Sequence, residues 1–188
     1  MELQDPITIR LMQPADLDIL QFICRAAYSE NFGHHWTRDG LTEYLEKVFA
    51  ADTMAKELAD PNIQYYVGFR ETPAAEPVTF MKLNLHSNLP GAPPEKGIEL
   101  DKLYILPGCK GQGIGARMMD LAFRVAETAG KEDFWLAVID TNAPAIAFYE
   151  KYGFRFHSTT RVSFPKFREE LKGMWRMRAQ IKKVASGL

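Results

Sequence analysis

A run of closely spaced glycines, Gly108-Cys109-Lys110-Gly111-Gln112-Gly113-Ile114-Gly115-Ala116, is the part of the chain best suited to chemistry. It follows a strand-like stretch, residues 98–106, and runs into a helix-like pattern, residues 114–129. A glycine loop between a strand and a helix is an anion site. Its N–H groups and the helix dipole favour negative charge, and the missing side chains let a phosphate reach the backbone. A P-loop is excluded: Gly108 and Gly113 have its spacing, but Ile114-Gly115 stands where Lys-Ser/Thr must be. Gly111-x-Gly113-x-x-Ala116 fits a dinucleotide fingerprint, and Asp140 ends the next strand where a ribose-binding acid would lie. That fold continues through further β-α-β units, however, and too little chain follows here.

Other residues add chemical potential. Glu99 and Asp101 are two apart on a strand, so they are expected on one face, where paired acids raise a pKa or hold a cation. His34-His35 has no third ligand nearby, so no metal is expected. With Phe32 and Trp36 these histidines are expected to line a substrate side or to pack.

These residues must be held by a fold. Residues 8–12 read as a strand, and Pro14 opens a helix with Leu17, Leu20, Cys24 and Ala27 at helical spacing. Residues 37–59 read as a second helix with Thr37 as N-cap, and Ile63–Arg70 and residues 78–86 as strands. Residues 88–96, with three prolines and a glycine, read as a loop. In the strand 98–106, Ile98, Leu100, Tyr104 and Leu106 share one parity, while Glu99, Asp101, Leu103 and Ile105 share the other. The next helix places Ile114, Met118, Leu121, Val125 and Ala129 on one face and ends at Gly130. Residues 134–139 form an apolar run expected to be a strand buried on both faces. A short helix, 142–152, ends at Gly153, and strands 154–164 and 171–181 are expected to pair antiparallel.

With 188 residues and 46% hydrophobic side chains, a single domain spanning residues 1–188 is expected. The net charge of −1 gives no general case for nucleic acid. No apolar run is long enough for a membrane span, and Met1-Glu2-Leu3-Gln4-Asp5 lacks a signal-peptide pattern. Cys24 and Cys109 lie far apart, which argues against a disulfide framework or a zinc site and for the cytoplasm. Residues 1–60 carry eleven acids against five bases, a solvated face or a wall that attracts a cationic substrate.

The glycine loop and a later block, Asn142-Ala143-Pro144-Ala145-Ile146-Ala147-Phe148-Tyr149-Glu150-Lys151-Tyr152-Gly153-Phe154, together resemble the GNAT family of N-acetyltransferases. The family's pattern Asn-x-x-Ala-x-x-x-Tyr-x-x-x-Gly-Phe is matched at Asn142, Ala145, Tyr149, Gly153 and Phe154. Its loop pattern, Arg/Gln-x-x-Gly-x-Gly/Ala, is matched except that Lys110 stands first. The chain also resembles the PaiA-type polyamine acetyltransferase subgroup, in Phe148-Tyr149-Glu150-Lys151 and Tyr28-Ser29-Glu30-Asn31-Phe32.

The resemblance implies an α/β GNAT fold: one mixed, mostly antiparallel sheet with a splayed parallel central pair, flanked by helices. It implies acetyl-CoA as donor and no metal. The pyrophosphate would lie on the backbone of Lys110, Gly111, Gln112, Gly113, Ile114 and Gly115. The pantetheine arm would pair with backbone groups of Leu103, Tyr104 and Ile105 and with Asn142. Tyr149 would be the acid that protonates the departing sulfur, and Glu99 the base. The expected acceptor is a small-molecule amine, polyamine-like, followed by a protein lysine or N-terminal amine; an acyl-CoA-binding sensor is the non-catalytic rival. No nucleic-acid or membrane partner is expected, and a homodimer is one option for the assembly.

Overall fold

The computed structural model describes residues 7–91 and 96–181; residues 1–6, with the N-terminal stretch read above, residues 92–95 of the proline loop, and residues 182–188 lie outside the described residues. The strands are β1 (Ile7–Leu11), β2 (Ile63–Arg70), β3 (Glu76–Asn84), β4 (Gly97–Ile105), β5 (Asp133–Ile139), β6 (Arg155–Arg161) and β7 (Gly173–Gln180). They form one sheet in the order β1-β2-β3-β4-β5-β7-β6. All neighbours are antiparallel except β4 and β5, which run parallel. This is the mixed sheet that the resemblance implies.

The parallel pairing is short. It runs from Gly97↔Asp133 to Leu100↔Leu136 and stops. Beyond that point β4 stays on β3 as far as Thr79↔Ile105, and β5 stays on β7 as far as Ile139↔Met174. The sheet therefore splits between Leu100 and the glycine loop. A bulge sits where the split begins. Lys82 pairs with Lys102 and Leu83 with Leu100, so Asp101 is the extra residue on β4. Bulges bend a strand and increase its twist.

The bulge also corrects the expected parity. Ile98 and Leu100 pack in the core under α4 (Ile114–Thr128) and α5 (Ala143–Lys151). After the extra residue, Leu103 and Ile105 join that core, and Tyr104 turns to the opposite one. A one-residue slip exchanges the faces of every later side chain. The opposite core lies under α1 (Leu17–Phe32), α2 (Gly40–Val48) and α3 (Ala51–Ala59).

Four other expectations change. The helix 37–59 is two helices, α2 and α3, broken where Phe49 turns fully into the core. Side chains of α1 brace the break: Gln21 Nε2 donates to Phe49 O (2.7 Å), and Arg25 Nη1 adds a bond to Leu45 O (3.1 Å), which also accepts from Phe49 N–H (3.0 Å). Thr37 is not an N-cap, since its N–H and hydroxyl both donate to the Lys166 carbonyl. On α4 the fully buried stripe is Ile114, Met118, Met119, Ala122 and Ala126, because the sheet contacts the helix one position round from the expected face. The C-terminal strands are shorter than expected, and the segment between them folds back over α1 and α2. There Arg168 N–H donates to His35 O (2.8 Å) and Trp36 bridges to Phe167.

Candidate active site

The glycine loop leaves β4 through a short turn, residues 107–109, and enters α4. Gly111 and Gly113 hold φ of +78° and +73°, in the left-handed region, and an added Cβ at either would meet nothing within 4 Å. Glycine is therefore needed there for backbone shape, not for space. At Gly115 a Cβ would come within 3.2 Å of the Phe148 ring, so there glycine provides room for α5. The first bond of α4 runs from Arg117 N–H to Gly113 O (3.2 Å). The N–H groups of Ile114, Gly115 and Ala116 have no helical partner and point out of the helix start with the dipole behind them. The Lys110 N–H instead bonds to Pro107 O (3.2 Å) and its Nζ to Asn31 Oδ1 (2.6 Å), so the outward amides begin at Gly111. Gln112 reaches back to Gly108 O (3.3 Å).

The split opens beside this loop into a cleft of about 720 Å³ that passes between the two layers of helices. Leu103, Tyr104, Ile105, Asn142 and Tyr149 line it together with the loop. Leu106 N–H bonds to Val78 O (2.9 Å) and Tyr104 O accepts from Thr79 Oγ1 (2.9 Å), so the polar backbone of Tyr104 faces β3. Alternation then turns the N–H and C=O of Leu103 and Ile105 towards the gap. The Ile105 carbonyl accepts from Asn31 Nδ2 (2.9 Å), so α1 ties down the free end of β4. Asn142 caps α5 with Oδ1 on Ala145 N–H (3.3 Å), leaving its amide nitrogen for the cleft.

Tyr149 projects from α5 with its ring 5.9 Å from Phe154. Burial raises its hydroxyl pKa to about 12, so it keeps its proton at neutral pH. Glu99 also lines the cleft, with Oε2 accepting from Asn84 Nδ2 (2.9 Å) and Ser87 Oγ (2.8 Å). Both donors are neutral, so its charge is not cancelled. Asp101 is different. Its carboxylate bonds to Lys102 Nζ (2.8 Å) and Lys82 Nζ (3.1 Å), and Lys82 also holds Glu57 (2.6 Å). Burial pushes the Asp101 pKa up, but the charges of Lys102 and Lys82 outweigh it, and the carboxyl titrates below the usual range. Asp101 is spent on this ion network.

Sequence reasoning missed several contributors. Asn31 and the Glu99 partners Asn84 and Ser87 were not singled out, since their roles depend on chain approaches far apart in sequence. Tyr44 and Phe164 line the cleft from α2 and from the segment before β7, and no local pattern marks them. His34 and His35 meet at 4.1 Å with their rings tilted, near this wall, and among the described residues no set of three His, Cys, Asp or Glu converges as metal ligands. Cys109 is buried at the loop, where Arg70 Nη2 reaches its sulfur (2.9 Å). Among the described residues no helix is long and apolar enough to cross a membrane.

A loop of outward amides, opening from a sheet split, is the arrangement the resemblance implies. A profile described as the Acetyltransferase (GNAT) family matches residues 23–154, most of the chain. The chain belongs to the GNAT family. The PaiA N-acetyltransferase of Thermoplasma acidophilum, solved in complex with coenzyme A, has a similar GNAT fold, with a TM-score of 0.73 over 93% of this chain and 99% of that one at 17% identity. An uncharacterized N-acetyltransferase of Mycobacterium bovis is 38% identical over 65 residues, 35% of this chain and 42% of that protein's length. Thialysine N-epsilon-acetyltransferase of Sus scrofa is 37% identical over 60 residues, 32% of this chain and 35% of that protein. This GNAT chain thus spans less than half the length of those curated relatives.

Proposed function

We propose that this protein transfers an acetyl group from acetyl-CoA to a primary amine by direct attack in a ternary complex. The observation that carries the reading is the split of β4 from β5 beside the amides of residues 111–116, with Tyr149 in the same cleft. These groups fit the donor. The outward N–H groups suit a diphosphate without a metal, and the gap-facing backbone of Leu103 and Ile105, with Asn142, suits an amide-bearing arm. When bound, acetyl-CoA supplies an acyl thioester.

The acceptor arrives as an ammonium. With a pKa near 10.4, freeing its lone pair at neutral pH costs about 4.6 kcal/mol. Glu99 takes that proton, directly or through water, because its charge is held by neutral partners rather than by lysines. The amine nitrogen bonds to the acyl carbon, and the carbon–sulfur bond breaks. A gap-facing N–H of β4 supports the carbonyl oxygen as charge builds there. Tyr149 gives its proton to the departing sulfur, which leaves as the thiol. The surplus proton on the new amide nitrogen passes through water to restore the phenol, and Glu99 returns its proton to solvent.

The acceptor is a small primary amine, as thialysine is for the Sus scrofa relative. The acidic residues 1–60 suit a cationic acceptor of this kind. The free cysteines Cys24 and Cys109 support a cytoplasmic setting. Thiol release from acetyl-CoA over a panel of amines, with mass detection of N-acetyl products, tests the reading. Acetyl-CoA binding without turnover on any amine would favour a sensor, and no binding would contradict both.

A further inference from the structure

The far end of the cleft, on the α1–α3 side, is walled by rings. Tyr28 and Tyr44 stack at 4.3 Å, Phe32 meets Tyr104 at 5.0 Å, and Phe164 meets Tyr44 at 5.0 Å. All of these residues, with Trp36, line the same cleft as Tyr149 and Glu99. The wall is closed by the backbone bonds between residues 35–37 and 166–168.

Two independent observations say what this wall is for. The first is charge. A polycation needs a carboxylate for each ammonium, and Asp101 is already held by Lys82 and Lys102. Lys102 is thereby spent as well, and Arg161, which also lines the cleft, is held by Glu169. Only Glu99, among the acids lining it, has neutral partners, so the cleft is suited to a single ammonium. The second is the make-up of the wall. Trp36 is only 6% exposed and packs its ring against Tyr44 (5.0 Å) and Phe167 (5.0 Å), so away from Glu99 the chamber is built of rings.

We propose that the acceptor is a monoamine carried on an aromatic body, with its ammonium at Glu99 and its ring in this chamber. This rests on the acetyltransferase reading and names its substrate class. Rings offer offset and edge-on contact to aromatic walls, which a linear alkyl chain cannot match.

The test compares 2-phenylethylamine, n-hexylamine and spermidine as acceptors. The expected result is a kcat/KM for 2-phenylethylamine at least ~10-fold above each of the others, since one well-fitted apolar group changes discrimination by that order. Phe164→Ala should remove the advantage over n-hexylamine while leaving the CoA dissociation constant within ~2-fold. Phe164→Leu, which keeps most of the packing volume, should reduce it in the same direction if the alanine variant does not fold. Equal rates for the three amines, or a preference for spermidine, would overturn the proposal. If no amine releases thiol, the acetyltransferase reading fails separately. The chamber is then read by tryptophan fluorescence on the CoA-loaded protein. Saturable 2-phenylethylamine binding at least ~10-fold tighter than n-hexylamine supports it, and binding no tighter overturns it.

Discussion

On the α4–α5 side of the split, the groups suited to a ligand come from contiguous stretches of chain, residues 107–116 and 142–154. On the α1–α3 side they come from α1, α2, β4 and the segment before β7, brought together by packing. The first side offers mainly backbone: amides at the start of α4, the gap-facing edge of β4, one side-chain amide and one phenol. The second offers side chains: rings, a neutral-partnered carboxylate and a spent one. Backbone recognition needs glycines at fixed spacing, which leaves a mark in the sequence. Side-chain recognition needs only the right residue at the end of a long approach. On the proposed reading, the donor is held mainly by backbone and the acceptor is chosen by side chains.

Variants on either side should therefore fail in different ways. The largest expected effect is at the junction. Tyr149→Phe should lower kcat by ~100-fold or more with CoA affinity nearly unchanged, because a general acid acts only in the chemical step. Since burial holds the Tyr149 hydroxyl near 12, the wild-type rate should show no alkaline decline from this group at pH 10. A decline centred near pH 10 would point to an ordinary phenol instead.

Next comes Asp101→Asn on the acceptor side, which leaves the buried Lys102 without its carboxylate and Lys82 with Glu57 alone. It should cost about 3 kcal/mol of stability in urea unfolding. The folded pKa of Asp101 lies below its unfolded value. Its stabilising contribution is therefore present above the unfolded pKa and lost as pH falls through the folded one. Wild-type stability should fall over that acid range more steeply than that of Asp101→Asn.

Gly113→Val forces a β-branched residue into φ +73°, a cost of about 2 kcal/mol in the loop. Calorimetry should show CoA affinity weakened by ~30-fold, with acceptor KM little changed. The smallest effect is expected at Asn142→Ala. Loss of the bond to Ala145 N–H should cost about 1 kcal/mol of thermal stability, together with a modest rise in acetyl-CoA KM.

The same contrast explains what was legible in the sequence. The glycine loop, the helix ending at Gly130 (φ +66°) and the turn at Gly153 (φ +84°) were readable because positive φ selects glycine locally. The buried strand β5 was readable from its unbroken apolar run. The Asp101 bulge was not, since nothing in Leu100-Asp101-Lys102 marks which residue leaves the ladder; pairing with β3 decides that. The break at Phe49 was equally silent, because no glycine or proline stands there and side chains of α1 brace it. Asn31 lay inside a quoted stretch, yet its bonds to Ile105 and Lys110 join chain 70 or more residues away. The aromatic wall was glimpsed only at Phe32 and Trp36, and its other rings follow from tertiary packing.

The central claim is that donor and acceptor occupy opposite sides of one split and react directly across it. Initial rates measured while both substrates are varied test it most plainly. The account predicts lines that intersect in double-reciprocal plots, with no acetylated protein detected by mass after incubation with acetyl-CoA alone. Parallel lines with an acetyl adduct on the chain, at Cys109 for example, would contradict it.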